Sequence, residues 1–296
     1  MKTAFIFPAF ITNYTGKEID FLIQNGVDFN HYITLASKVL GEDLPEFSYD
    51  NSIYQSDELF SQFIAYLFGC AMNDVMRKKE IVPDYIAGYS MGIYASLYAT
   101  KSITLEDGLR IIQNAFNIVK EVSKTGSYGM GAVIGLSIID VDNIIKNDNL
   151  NIEIINVNNK HSIVLAGNRD DITKFLDLAK EEGAMSVNKL TVKTPYHSKY
   201  LAKYSQEFTD YIYKVNIKDA EIPVVSTYNQ KICLSSDDLR MDLIHNLTEK
   251  INWHNTMQFL LKLDVNVFCE VGAGKDLIKI ARFIEGDYKI KSIKKI

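Results

Sequence analysis

The chain has 296 residues, of which 47% are hydrophobic and 23% are charged, as in ordinary globular proteins, so disordered and fibrous classes are excluded. Its length suits one large domain, or a large domain with a smaller insert. The 32 basic and 37 acidic residues give a net charge of −5, without the strongly basic character of nucleic-acid-binding proteins. We therefore expect small-molecule and protein partners, and no nucleic acid.

The chain opens on a short apolar run, residues 3–7, which ends at Pro8 and predicts a buried first strand. This run is shorter than the about 7–15 apolar residues of a signal peptide, and we expect no membrane span, which needs roughly 20 apolar residues. The scattered cysteines form no C-x-x-C pair and are expected to be buried free thiols: Cys70, Cys233 and Cys269. These features favour a cytoplasmic protein without a membrane contact or a metal site.

Helical periodicity then alternates with short apolar runs. Apolar residues at i, i+3 and i+4 spacing predict a long core helix over residues 59–76, and residues 85–87 are typical of a buried parallel strand. A helix is expected over residues 93–99, and another begins at the N-cap Thr104. Further strands are expected at residues 222–226 and 267–271. The alternation predicts an α/β fold with a parallel sheet at its core.

Shorter elements occupy residues 126–194. We predict them in the order strand 132–136, helix 140–146, strand 152–157, strand 162–166, helix 170–182 and strand 186–191. That β-α-β-β-α-β order is the split βαβ, ferredoxin-like motif. We expect residues 126–194 to form a small subdomain, inserted into a large α/β subdomain of residues 1–125 and 195–296.

The sharpest local signal is Gly88-x-Ser90-x-Gly92, between a predicted strand and a predicted helix. This spacing is typical of a nucleophile elbow, in which a tight strand-to-helix turn presents the serine hydroxyl at the helix N-terminus. Glycines flank the serine because a Cβ there would clash with the neighbouring strand or helix. The Met91 amide would point at the negative charge that develops on a bound carbonyl oxygen.

A serine nucleophile needs a base, and the chain has five histidines: His31, His161, His197, His245 and His254. His197 ranks first because it lies where the chain leaves the small subdomain and re-enters the large one, which would place it at the cleft between them. Solvated or structural roles are expected for His31, His161 and His254.

A longer series of motifs resembles the malonyl-CoA:acyl carrier protein transacylase family and the acyltransferase domains of polyketide synthases, over nearly the whole chain. The stretches that carry the resemblance are, in chain order, Phe5-Ile6-Phe7-Pro8, Tyr54-Gln55-Ser56, Gly88-Tyr89-Ser90-Met91-Gly92, Asn156-Val157-Asn158-Asn159, Ser162-Ile163-Val164-Leu165-Ala166-Gly167, Pro195-Tyr196-His197-Ser198, residues 246–253 and Glu270-Val271-Gly272-Ala273-Gly274-Lys275. The resemblance implies a hydrolase-like parallel-sheet core with an inserted ferredoxin-like subdomain, and no cofactor.

The resemblance also implies a covalent mechanism. Ser90 would take the acyl group from a thioester, and His197 would accept the serine proton and pass it to the leaving thiol. The main-chain amides of Phe10 and Met91 would form the oxyanion hole. Asn246 would orient His197 through its carbonyl, at a position where the family commonly has glutamine.

The acyl pocket implied by the resemblance includes Ala115, Tyr89, Tyr196 and Gln55. Malonyl members of the family place an arginine, where this chain has Ala115, to pair with the free carboxylate of malonate. Arg110, five residues earlier, lies about 500° of helical rotation away and faces elsewhere. A buried malonyl carboxylate would therefore lack its partner, so we expect an uncharged acyl group: acetyl, a short or medium chain, or an aryl group.

The leading hypothesis is an acyltransferase that moves an acyl group from an acyl-CoA or carrier thioester, through acyl-Ser90, to the phosphopantetheine thiol of an acyl carrier protein in fatty acid or polyketide synthesis. An acidic carrier would need a basic patch, for which the candidates are Lys193, Lys199, Lys203, Lys279 and Arg282. The alternatives are an acyl-carrier-protein thioester hydrolase, a scaffold that only docks carrier proteins, and a lipase-like hydrolase, whose usual Ser…Asp…His order finds no good counterpart here.

Overall fold

The computed structural model describes residues 1–9, 14–51, 53–190, 192 and 194–295. Within them the strands are β1 (Lys2–Phe7), β2 (Tyr85–Gly88), β3 (Tyr128–Ile134), β4 (Ile152–Asn159), β5 (Ser162–Asn168), β6 (Ser186–Lys189), β7 (Val224–Val225), β8 (Ile232–Cys233), β9 (Ile251–Asn252), β10 (Val265–Glu270) and β11 (Lys289–Ser292). The α-helices are α1 (Glu18–Gln24), α2 (Phe29–Leu40), α3 (Ile53–Ser56), α4 (Glu58–Lys78), α5 (Gly92–Ala99), α6 (Leu105–Ser123), α7 (Ile138–Asn147), α8 (Arg169–Glu181), α9 (Ser205–Ile212), α10 (Ser236–Thr248), α11 (Trp253–Lys262) and α12 (Asp276–Ala281). Short 3-10 helices cover Lys199–Tyr204 and Ile293–Lys295.

A six-stranded sheet lies at the centre of the larger part of the molecule, in the order β11-β10-β1-β2-β7-β8. β11 to β7 run parallel, and β8 pairs antiparallel at the edge. Alternate residues of β1 enter two hydrophobic clusters: Phe5 and Phe7 one, Ala4 and Ile6 the other. A strand buried on both faces explains the continuous apolar run that predicted it.

The carboxyl ends of three central strands meet at one edge of this sheet. Phe7 at the end of β1 lies beside Gly88 at the end of β2, and Ile6 lies beside Glu270 at the end of β10. Ligands of open α/β sheets bind at this edge. The loop that follows β2 carries Ser90, so the elbow opens there.

A second, five-stranded sheet has the order β6-β3-β5-β4-β9. β6, β3, β5 and β4 pair antiparallel, and β9, which lies far along the chain, adds parallel to β4. The elements from β3 to β6 follow the predicted β-α-β-β-α-β order, and α7 and α8 share one hydrophobic cluster with this sheet. The fold class is therefore confirmed: a hydrolase-like parallel sheet with a ferredoxin-like unit.

The long helix α4 lies in the largest hydrophobic cluster and buries side chains such as Phe63, Leu67 and Phe68 completely. Of the described helices it alone is long and apolar enough to cross a membrane, so the prediction that no stretch has this length and composition is wrong. Because 83% of that stretch is buried inside the protein, α4 has the environment of a core helix. The three cysteines are buried free thiols, as expected.

Of two other predicted elements, one begins where expected and the other is shorter than expected. The N-cap at Thr104 is present as a full capping box with Asp107, so α6 begins where predicted. The predicted strand at residues 222–226 shortens to the two residues of β7, which lies between β2 and the short edge strand β8.

Candidate active site

The turn between β2 and α5 has the geometry of a nucleophile elbow. Ser90 has φ +55°, in the left-handed region that is strained for a residue with a side chain. A Cβ on Gly88 would lie 2.4 Å from the main-chain carbon of Gly92, and a Cβ on Gly92 would lie 2.2 Å from the carbonyl oxygen of Phe7. Both flanking positions therefore require glycine, because the backbone of α5 and of β1 occupies the space.

The structure brings Ser90 and His197 together across 107 residues of chain. Ser90 Oγ lies 2.7 Å from His197 Nε2, and His197 Nδ1 lies 2.6 Å from the main-chain oxygen of Asn246. A carbonyl oxygen only accepts, so Nδ1 carries the proton and the Nε2 lone pair is left to accept the Ser90 hydroxyl proton. The pair is thus arranged as a nucleophile and its general base.

Asn246 acts on His197 through its backbone. Its side chain takes no part in the bond to Nδ1, so that bond is available to any residue type at this position. The amide of His197 also donates to the carbonyl oxygen of Leu247, at 3.0 Å. Two consecutive carbonyls near the end of α10 therefore fix both the main chain and the ring of His197.

The imidazole of His197 is buried, with only 6% of the residue exposed. Burial lowers the pKa of His197 to about 4, because the imidazolium loses its hydration, and the bond to the Asn246 carbonyl opposes part of this shift. At neutral pH the ring is therefore uncharged and able to accept a proton. No carboxylate among the described residues is hydrogen-bonded to this ring.

A cavity of about 160 Å³ adjoins this pair. Three of the four predicted pocket residues line it: Tyr89, Ala115 and Tyr196. Its apolar lining comes from both sheets and their connections, including Met91 after β2, Met130 on β3 and Val164 on β5. Arg110 is exposed on the surface, as the helical rotation predicted.

The prediction that Gln55 lines the pocket is wrong. Gln55 is exposed in α3 and donates its side-chain amide to the carbonyl oxygen of Tyr49, at 2.8 Å. Gln62, seven residues later in α4, is buried and lines the cavity instead. Its Nε2 donates to the hydroxyl of Tyr196, at 3.0 Å.

Tyr196 belongs to a hydrogen-bond network that the sequence did not reveal. Its hydroxyl donates to Glu58 Oε1 at 2.8 Å, and Thr194 Oγ1 donates to the same oxygen at 3.0 Å. Glu58 and Gln62 lie in the first two turns of α4. The segment that precedes His197 is therefore tied to the start of the core helix.

Tyr89 connects the elbow to the small sheet. Its hydroxyl donates to Asn158 Oδ1 at 2.7 Å and accepts from Asn156 Nδ2 at 2.8 Å, and both asparagines lie on β4. Its ring packs edge-on against Trp253, with centroids 5.5 Å apart. The residue before Ser90 thus fixes β4 over the nucleophile.

The oxyanion hole and the basic patch each include one predicted residue that lies outside the described residues. These are Phe10 of the oxyanion hole and Lys193 of the basic patch. Met91 immediately precedes α5 and lines the cavity. The other basic candidates lie exposed on the surface: Lys199, Lys203, Lys279 and Arg282.

The comparisons with known proteins agree with this geometry. A family model described as the acyl transferase domain matches residues 60–272, more than half of the chain. The chain belongs to this acyl transferase family. The malonyl CoA-acyl carrier protein transacylase of Staphylococcus aureus (strain MSSA476) is 29% identical over 295 residues, covering 99% of this chain and 95% of that protein. The resemblance inferred from the sequence motifs is therefore confirmed.

Solved structures show the same fold. An acyl-carrier-protein S-malonyltransferase from Burkholderia pseudomallei 1710b superposes with a TM-score of 0.89 at 24% identity, covering 99% of this chain and 96% of that one. A type II polyketide synthase acyl-carrier protein in complex with its malonyl-transacylase gives a TM-score of 0.87 at 21% identity, with 99% and 96% coverage.

Proposed function

We propose that this acyltransferase moves an acyl group from a CoA or carrier thioester, through acyl-Ser90, to the phosphopantetheine thiol of an acyl carrier protein. The observation that carries the proposal is the 2.7 Å contact between Ser90 Oγ and His197 Nε2 beside an apolar cavity. Ser90 Oγ attacks the thioester carbonyl carbon while Nε2 takes its proton; the C–S bond then breaks and the leaving thiolate recovers that proton. The carrier thiol repeats these steps in reverse.

The acyl group is uncharged in this proposal. None of the described residues that line the cavity is a lysine or an arginine, and Ala115 occupies the position where malonyl members of the family have arginine. In this proposal the chain departs in its acyl selectivity from the relatives, which are named for malonyl-CoA. An apolar cavity of 150 Å³ accommodates benzene, so the 160 Å³ here suits acyl chains of up to about six carbons or an aryl group.

An acyl carrier protein as acceptor is supported by the named substrates of the relatives and by the carrier complex among the structural neighbours. Its acidic surface would meet the exposed Lys199, Lys203, Lys279 and Arg282. In this proposal, residues 126–194 form the small subdomain that closes over Ser90, and the protein works in the cytoplasm, where CoA thioesters and carrier proteins meet.

The test is an intact-mass experiment on both half-reactions. The protein is mixed with acetyl-, butyryl-, hexanoyl-, benzoyl- and malonyl-CoA in turn, and then with holo-acyl carrier protein. We expect the uncharged groups to load faster than malonyl, and the acyl group to pass to the carrier. Faster malonyl loading would overturn the acyl preference, and release of free acid without a loaded carrier would instead identify a thioester hydrolase.

A further inference from the structure

Asn156 on β4 holds an unused hydrogen-bond acceptor beside the nucleophile. The residue is 6% exposed and lines the same cavity as Ser90 and His197. Its Nδ2 donates to the Tyr89 hydroxyl, but its Oδ1 is buried and has no partner among the described residues. A buried carbonyl oxygen of this kind is costly unless some donor reaches it.

The orientation of the Asn156 amide follows from Tyr89. A tyrosine hydroxyl has one hydrogen, and here it is donated to Asn158 Oδ1, at 2.7 Å. The tyrosine oxygen can therefore only accept from Asn156, which commits Nδ2 to it and leaves Oδ1 free for a ligand. Asn156 lines the same cavity as Ser90 and Tyr89, so a substrate held at the nucleophile lies next to this residue.

The donor must come from the thioester arm, since the acyl groups proposed above carry no N–H or O–H. The pantetheine arm, common to CoA and carrier proteins, has an amide N–H two methylene groups from the sulfur. We propose that Asn156 Oδ1 accepts this N–H, which makes Asn156 a substrate-binding residue that recognises pantetheine thioesters. This inference rests on the proposed function. The same bond serves donor and acceptor thiols, because both end in the same arm.

Two small thioesters test the proposal: S-acetyl-N-acetylcysteamine, which keeps the amide N–H, and O,S-diacetyl-2-mercaptoethanol, in which an ester oxygen replaces that N–H. The measurement is kcat/KM for acetylation of Ser90, followed by intact mass. The wild-type protein should prefer the amide by about tenfold, the size of one hydrogen bond to a buried acceptor. Asn156→Leu, of similar volume without the acceptor, should lose this preference.

Asn158→Asp is the matched control on the same strand. Its carboxylate still accepts the Tyr89 hydroxyl hydrogen, so the Asn156 amide keeps its orientation and the preference for the amide thioester persists. Asn156→Ala provides a second variant, with the same expected loss of preference, in case the leucine variant fails to fold.

Equal rates of the wild type with the two thioesters, or an unchanged preference in Asn156→Leu or Asn156→Ala, would overturn the proposal. Failure of every thioester, acyl-CoA included, to acylate the protein would instead overturn the proposed function, so the two failures are distinguishable.

Discussion

Acidification provides a sharp test of the buried base. Burial lowers the pKa of His197 to about 4. At about pH 5, roughly nine-tenths of such rings are neutral and able to accept the Ser90 proton, against about 3% for a histidine with the ordinary pKa near 6.5. The fraction of neutral imidazole at this pH therefore differs about 30-fold between the two pKa values. We therefore expect kcat/KM for acylation to change less than about twofold between about pH 7 and pH 5, and to fall steeply below about pH 4.

The assay is single-turnover acetylation of Ser90 by acetyl-CoA, quenched in acid and measured by intact mass across the pH range. Because kcat/KM reports ionisations of the free enzyme, its acid limb gives the pKa of the unliganded imidazole. An acid limb centred near pH 6.5 would refute the reasoning, since it would mean that the ring of His197 is well hydrated before substrate binds.

The control is thermal unfolding over the same pH range, because the shifted pKa has a consequence for stability. The folded-state pKa of His197 lies below its unfolded value, so protonation favours the unfolded chain. The contribution of neutral His197 to the free energy of unfolding is fully present above about pH 6.5. It is lost as the pH falls towards 4, by up to about 3 kcal/mol. Rates are compared only where the protein remains folded.

Three substitutions test other parts of the site. Ala115→Arg should raise the ratio of malonyl to acetyl loading by about 10- to 100-fold, because charge-assisted hydrogen bonds contribute about 1.5–3 kcal/mol. The control Ala115→Met, which is long but uncharged, should slow loading of both acyl groups. An unchanged ratio in the arginine variant would count against the pocket assignment. Gly92→Ala should abolish acylation and lower the melting temperature, since its Cβ meets Phe7 oxygen at 2.2 Å, whereas Gly129→Ala, with 3.6 Å to its nearest neighbour, should do neither. Tyr89→Phe should cost about 1–3 kcal/mol of unfolding free energy by leaving two β4 amides unpaired, and a denaturation midpoint equal to the wild type would show that this contact does not hold β4 in place.

Much of the architecture was predictable because its causes are local. Gly88 and Gly92 indicate a turn whose flanking positions no other residue type fits. The capping box at Thr104 determines where α6 begins. The order of elements from β3 to β6 follows from alternating two-residue and 3.6-residue periodicity. Local patterns were not sufficient to predict that His197 lies beside Ser90. That prediction also depended on the inference that the chain re-enters the large unit at the cleft.

The error at Gln55 shows where a motif resemblance stops being informative. Seven residues are close to two helical turns, so Gln55 and Gln62 would share one face of a continuous helix. The break between α3 and α4 at the N-cap Asp57 removes this equivalence and exposes Gln55. Helix breaks of this size depend on packing around both segments, which the pattern of apolar residues does not encode.

The hydrogen bonds that hold the site residues in place also could not be predicted from the sequence. Tyr89 meets Asn158 across 69 positions, and Tyr196 meets Glu58 across 138. Tyr89, Asn158 and Tyr196 lie in motifs that carry the family resemblance, but a motif does not indicate which side chains bond to each other. Each contact exists only because two sheets and one helix converge on the cleft. Tertiary structure alone identifies them.

The most direct test of the account is to locate the acyl group on the protein. After incubation with acetyl-CoA, peptide mapping should place one acetyl group on Ser90, and the Ser90→Ala variant should carry none while keeping its thermal stability. An acetyl group on any other residue of the wild type, or transfer to a carrier protein by Ser90→Ala at the wild-type rate, would contradict the covalent mechanism.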